Sequence, residues 1–129
     1  MEYRMDFNNI LLTFQQLSGC PADRINGELP LVQSSVFQVE AILDYGKVKA
    51  IDIPRCEYAA ACCAVYDFVC REACKEKIIT TPDGFASSNQ DFTGRIPAAQ
   101  KLKNSALAQI GSIVKDNGFL FRTMGGETE

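Results

Sequence analysis

Six cysteines and no histidine set the limits of the chemistry available to this chain. Cys56, Cys62, Cys63, Cys70 and Cys74 crowd into one stretch, and Cys20 lies well upstream. Thiols at that density first suggest metal binding or redox exchange. Their spacing argues otherwise. Cys56, Cys63 and Cys70 recur every seven residues and share one helix face, yet Cys56 and Cys70 would sit about 21 Å apart along the axis. Zinc needs four ligands converging on one point. Only Cys70 and Cys74, one turn apart, could share an ion, with Cys20 or a second chain supplying further thiolates. A disulfide framework would spread its cysteines between elements, and neighbours on one helix cannot easily meet disulfide geometry. The six are therefore read as free thiols in a reducing compartment, packed as small hydrophobes. No neighbouring group plainly lowers a thiol pKa.

Without histidine the chain lacks the commonest general base, the Ser–His and Cys–His pairs, and imidazole metal sites. The glycines follow neither the Rossmann nor the P-loop spacing. Glu72 and Glu76 could pair for acid–base work, but with Arg71 and Lys75 they form like-charge pairs four apart. These read as a helix end facing solvent or a partner, not as a salt-bridge ladder. Asp67 interrupts an apolar helix, and is expected to face solvent or meet a basic neighbour; the alternative is a register-setting role at a subunit contact. Arg95, Lys101 and Lys103 form a small basic group, read as a solvated face and not as a phosphate site. No catalytic or cofactor-binding residue emerges, and the expectation is a protein that is not an enzyme and carries no cofactor or metal.

The elements that hold these residues read as helices. Asp6 caps the first, Phe7, Ile10, Leu11, Phe14 and Leu17 give it an apolar face, and Gly19 with Pro21 ends it. A turn-rich connection runs from Cys20 to Glu28. The second helix starts near Pro30, carries Leu29, Val32, Val36, Val39, Ile42 and Leu43 as its apolar positions, and stops at Gly46. The third runs from about Ile53 to Lys75 with Asp52 as its cap. It is apolar on nearly every face around Tyr58–Cys70, which marks a central helix packed on several sides. Residues 78–96 are β-prone, turn-rich and polar, and are expected to form a protruding hairpin or loop. The fourth helix is expected from Pro97 to Asn117-Gly118, with Leu102, Ala106, Leu107, Ile110, Ile113 and Val114 as its stripe. Residues 119–129 form a tail whose apolar part, Phe119–Met124, must dock on this chain or another.

The bulk numbers fit one domain, 1–129, of all-α class. Of 129 residues, 47% are hydrophobic and 22% charged, enough for a core and too apolar for disorder. The net charge of −3, with no block of strong excess, disfavours binding to the DNA backbone. The apolar run Tyr58–Tyr66 is far short of the roughly 20 residues a membrane span needs, and no leader peptide is visible at the N-terminus.

Three segments give the chain a family resemblance: AAACCAVYDFVC at Ala59–Cys70, the loop entering Ser88–Asp91, and AAQKLKNSALAQIGSIVKDNGFLFRTM at Ala98–Met124. With that order of elements the sequence resembles the head–tail connector (adaptor, or head-completion) proteins of siphophages and prophages of Gram-positive bacteria, over roughly residues 29–124. The cysteines and the first helix depart from that pattern. The resemblance implies a small helical bundle, about a dozen copies of which form a ring beneath the portal. Such a ring extends the DNA channel without sequence-specific binding and receives the next neck or tail protein. It implies the virion neck as location, with assembly in the host cytoplasm. It carries no catalytic motif, so interface candidates come from exposure arguments alone. They are Phe85, Phe92 and Arg95 around the loop, and Phe119, Leu120, Phe121, Arg122 and Met124 in the tail. The rival readings are a metal-binding or redox-linked helical protein using Cys70 and Cys74, and a helical adaptor unconnected with virions.

Overall fold

The computed structural model of the chain describes residues 4–78 and 92–115. Those residues build an all-α bundle of four helices: α1 (Phe7–Ser18), α2 (Leu29–Ile42), α3 (Ile53–Ile78) and α4 (Phe92–Gln109). Short 3₁₀ helices at Ala22–Glu28, Ala50–Asp52 and Gly111–Ile113 link or end them. The 26-residue α3 is the axis, and α1, α2 and α4 each pack against it.

Local chemistry explains α1. The Asp6 carboxylate accepts from the Asn8 N–H at 2.9 Å, and Gly19 closes the helix at φ 73°, where a Cβ would be strained. Glu57 on α3 ties this end down by accepting from the Asp6 N–H at 2.7 Å. Ile10 and Phe14 are fully buried, whereas Leu17 stays 39% exposed.

The centre of α3 packs as its composition requires. Ala59, Ala60, Ala61, Cys62, Cys63 and Ala64 are all buried. Small side chains let neighbouring helices come close to this segment, where close packing makes added volume costly. Farther along, three rings interlock edge to face. Phe14 meets Phe68 at 5.6 Å and 89°, and Phe68 meets Phe92 at 6.0 Å and 86°. Such pairs add about 0.5–1.5 kcal/mol each beyond their area.

Several boundaries differ from the sequence reading, each for a nonlocal reason. Helix α2 stops at Leu43 and not at Gly46, because the fully buried Leu43 turns extended and bridges to Val114. Two main-chain bonds of 2.8 Å hold that bridge, from the Asp44 N–H to the Ile113 carbonyl and from the Lys115 N–H to the Ile42 carbonyl. Gly46 instead donates to the Asp44 carboxylate in the turn that follows. The same bridge, with Gly111 in a poor position to continue a helix, ends α4 at Gln109. Helix α4 also begins five residues earlier than expected, at Phe92, so Pro97 lies inside it. Pro97 cannot donate to the Thr93 carbonyl, and an interior proline costs about 3 kcal/mol. Burial of the Phe92 ring, worth about 1.5–3 kcal/mol with its edge-to-face contact in addition, offsets that cost. Helix α3 likewise runs on to Ile78. The expected loop over 78–96 is thus helical at both ends, and its remainder lies outside the described residues.

Asp52 does not cap α3 in the expected way. It ends a 3₁₀ turn, and its carboxylate accepts from the Lys49 N–H at 3.0 Å and pairs with Arg55 at 3.6 Å. The connection 22–28 is a 3₁₀ helix with Asn26-Gly27 inside it, which swings Glu28 inward against α3. No described helix is long and apolar enough to cross a membrane.

Candidate interaction surface

All six cysteines are free. Cys20, Cys56, Cys62 and Cys63 are buried, Cys70 is half-buried and Cys74 is exposed. Burial pushes the Cys56, Cys62 and Cys63 thiols up to about 11, so they stay protonated at neutral pH. Among the described residues no three cysteine, aspartate or glutamate side chains converge as metal ligands. Cys70 and Cys74 therefore gain no third ligand there, and Cys20 does not join them.

The charged end of α3, expected to face solvent or a partner, is instead tied into the bundle at Arg71 and Glu72, while Lys75 stays exposed. Glu28 and Glu72 are both buried, and three cations surround them. Arg71 reaches Glu28 at 2.6 Å and Glu72 at 3.2 Å; Lys75 reaches Glu72 at 3.2 Å; Arg24 approaches both acids at 3.5 and 3.6 Å. Arg71 and Arg24 also lie over the Phe68 ring, 5.5 and 5.9 Å from its centroid. Burial pushes the Glu72 carboxyl up, but hydrogen bonds from Lys75 and Arg71 and the nearby positive charges outweigh it and hold its pKa below the ordinary value. The like-charge spacing four apart hid this, because Glu72 pairs with Arg71 and Lys75 at other spacings on α3 and with Arg24, while Arg71 takes Glu28 as a second partner. One oxygen of Glu28 and the Nε of Arg71 have no hydrogen-bond partner among the described residues.

Asp67 is half-buried and feels the Lys103 charge, with no ion pair between the two. Burial raises its pKa, the Lys103 charge lowers it, and the Ser35 hydroxyl beside it lowers it further. Ser35 Oγ is fully buried and falls short of hydrogen-bond geometry with any partner among the described residues. Lys103 is not the solvated group expected: its Nζ lies 4.7 Å over the Tyr66 ring, linking α4 to α3. Lys101 is exposed, as expected for a solvated face.

The interface candidates divide. Phe92 is only 8% exposed and belongs to the core, so its proposed role as a protruding contact is withdrawn. Arg95 is exposed, stacked over Phe92 at 4.8 Å. Phe85, Phe119, Leu120, Phe121, Arg122 and Met124 lie outside the described residues.

Two features went unread in the sequence. One is an apolar groove of about 320 Å³ between α1, α3 and α4, floored by Val65, Val69 and Ala99 and walled by Leu17, Ala98 and Leu102. Beside it lies a second cavity of about 280 Å³ that holds Arg24, Glu72 and Cys20, and Ser18 and Arg95 border both. The other is a set of large apolar side chains left in water: Leu12, Phe37, Tyr45 and Ile51, with Phe37 at 59%. Leu17 gave the available hint, since it closes the apolar stripe of α1 at the point where the helix ends. The chain is similar to no known protein-family model, curated protein or solved structure at a significant level.

Proposed function

We propose that this chain is a structural subunit of a tailed-phage neck, a head–tail connector that forms a ring beneath the portal and receives the next neck or tail protein. The observation that carries this reading is the segment Ala98–Met124, whose alanine–leucine–isoleucine pattern and D-N-G-F-L-F run resemble that family. In its described part Ala99, Ala106 and Leu107 are buried on α4, and Ile110, Ile113 and Val114 are buried in the 3₁₀ turn and bridge that follow it. Large apolar side chains held in water are what a subunit awaiting neighbours presents. A net charge of −3 suits a channel along which DNA must slide without adhering. In this reading the partners are the portal, further copies of the chain and the next neck protein, in the virion neck after assembly in the host cytoplasm.

Co-expression with the portal protein that this reading assigns as the partner tests this directly. Native mass spectrometry should show about a dozen metal-free copies on each portal ring, closed by rotation as such assemblies are. A chain that never associates with the portal, or one that carries stoichiometric zinc or iron, sinks the reading.

A further inference from the structure

We propose that the groove between α1, α3 and α4 is the seat for the outer face of α2 of a second copy, with Phe37 entering the groove and Glu40 meeting Arg95. The inference rests on the connector reading only in naming another copy as the neighbour. The groove has a buried apolar floor in Val65, Val69 and Ala99, at most 6% exposed, and a cation at its rim. That cation, Arg95, has no acidic partner among the described residues, and its guanidinium is already ordered on the Phe92 ring. An ordered cation at the edge of an apolar cleft selects an apolar side chain followed at close range by a carboxylate.

The chain carries that combination on α2. Phe37 is 59% exposed in mid-helix. One turn on, Glu40 has no basic partner among the described residues, and Ala41 continues the same exposed edge. Residues three and four apart lie side by side on a helix, so the ring, the acid and the small residue form one ridge. Asp44 and Tyr45 extend it, though Lys47 already engages Asp44 at 4.0 Å. A volume of about 320 Å³ has room for one phenylalanine side chain.

The ridge belongs to α2 and the groove to the other three helices. One copy can therefore offer its groove to a neighbour while its own ridge occupies the next. Contacts between two different patches are head-to-tail and generate rings or filaments, not closed pairs. One aromatic anchor and one ion pair fall well short of the roughly 800 Å² per partner of a standard stable interface. Free subunits thus associate weakly, and the contact gains strength when many copies are held together.

Photo-cross-linking of the full chain reads the occupant. With p-benzoylphenylalanine at Ala98, on the exposed groove wall, irradiation should give a dimer whose linked peptide maps to residues 33–44 of α2. Arg95→Glu should lower that yield roughly tenfold, and Glu40→Arg in the same chain should restore it, as expected for a close charge pair. Phe37→Ser should lower it by a further tenfold or so. Circular dichroism matching the unsubstituted chain shows that each variant is folded. A link to residues 116–129 of the same chain, or no intermolecular link, overturns the proposal. Loss of the α2 link with portal assembly intact removes this contact and leaves the connector reading standing. An α2 link in a chain that ignores the portal does the reverse.

Discussion

The two halves of α3 are held in place by different physics. In the first half Ala59–Ala64 are all buried small side chains, and the stabilisation is close packing with water excluded. In the second half Arg71, Glu72 and Lys75 engage Arg24 and Glu28 in an ionic cluster laid over the Phe68 ring. The first arrangement tolerates no change of volume and is indifferent to salt and pH. The second tolerates shape changes and depends on both. Phe68 stands at the join, with Phe14 and Phe92 on its edges and two guanidinium groups on its face.

Thiol labelling should show the contrast most strongly. Ellman's reagent is expected to modify Cys74 within seconds and Cys70 next, whereas Cys56, Cys62 and Cys63 must wait for the bundle to open. With a stability of a few kcal/mol that delay is on the order of a thousandfold or more. Equal rates for all six would mean that the first half is not packed as described.

Removing the join comes next in size. Phe68→Ala should cost about 3–5 kcal/mol in urea unfolding, since it leaves a cavity and strips both halves of a shared contact. Ala60→Leu and Glu28→Ala then separate the halves. Each should cost about 2 kcal/mol, the first by overpacking and the second by removing the nearest partner of Arg71 and leaving it only Glu72. Only the second loss should shrink in 1 M NaCl, because Arg71 and Arg24 are partly exposed and screened. A salt effect on Ala60→Leu would erase the distinction.

Acid should produce the smallest effect, through two groups of opposite sign. The pKa of Glu72 is lowered on folding, so its stabilisation is present above the ordinary glutamate range and disappears as pH falls through the lowered value. The pKa of Asp67 is raised by burial, so its charged form opposes folding at neutral pH, and that opposition fades below its raised value, towards 3.8. Glu72→Gln should flatten the acid limb of the stability curve. Asp67→Asn should stabilise the chain at pH 7 and lose that advantage near pH 3.5, as read by thermal melts across the range.

The same contrast explains what could be read in the sequence. Helix α1 was legible from Asp6 to Gly19 because caps are local, and the central place of α3 was legible because an apolar run has one physical solution. The ionic cluster was not, since its acids and cations meet only after residues 22–28 wind into a 3₁₀ helix that no periodicity announces. Phe92 read as a loop residue because Pro97 looked like a helix start, and only the ring packing on Phe68 shows why the helix begins sooner. The groove was invisible for the same reason. Its walls come from three helices, and no single one of them signals a concavity.

The bridge between Leu43 and Val114 has a kinetic consequence. It joins positions far apart in the chain, so the two strand-like residues can pair only after α2, α3 and α4 are already assembled. Closing so long a loop has a high entropic barrier until the helices lower it. The contact is therefore expected to form late and open early, and the amide protons of Asp44 and Lys115, which donate across it, are its clock. Their exchange with deuterium reports when the far end of the bundle lets go, while the interior of α3 is still intact.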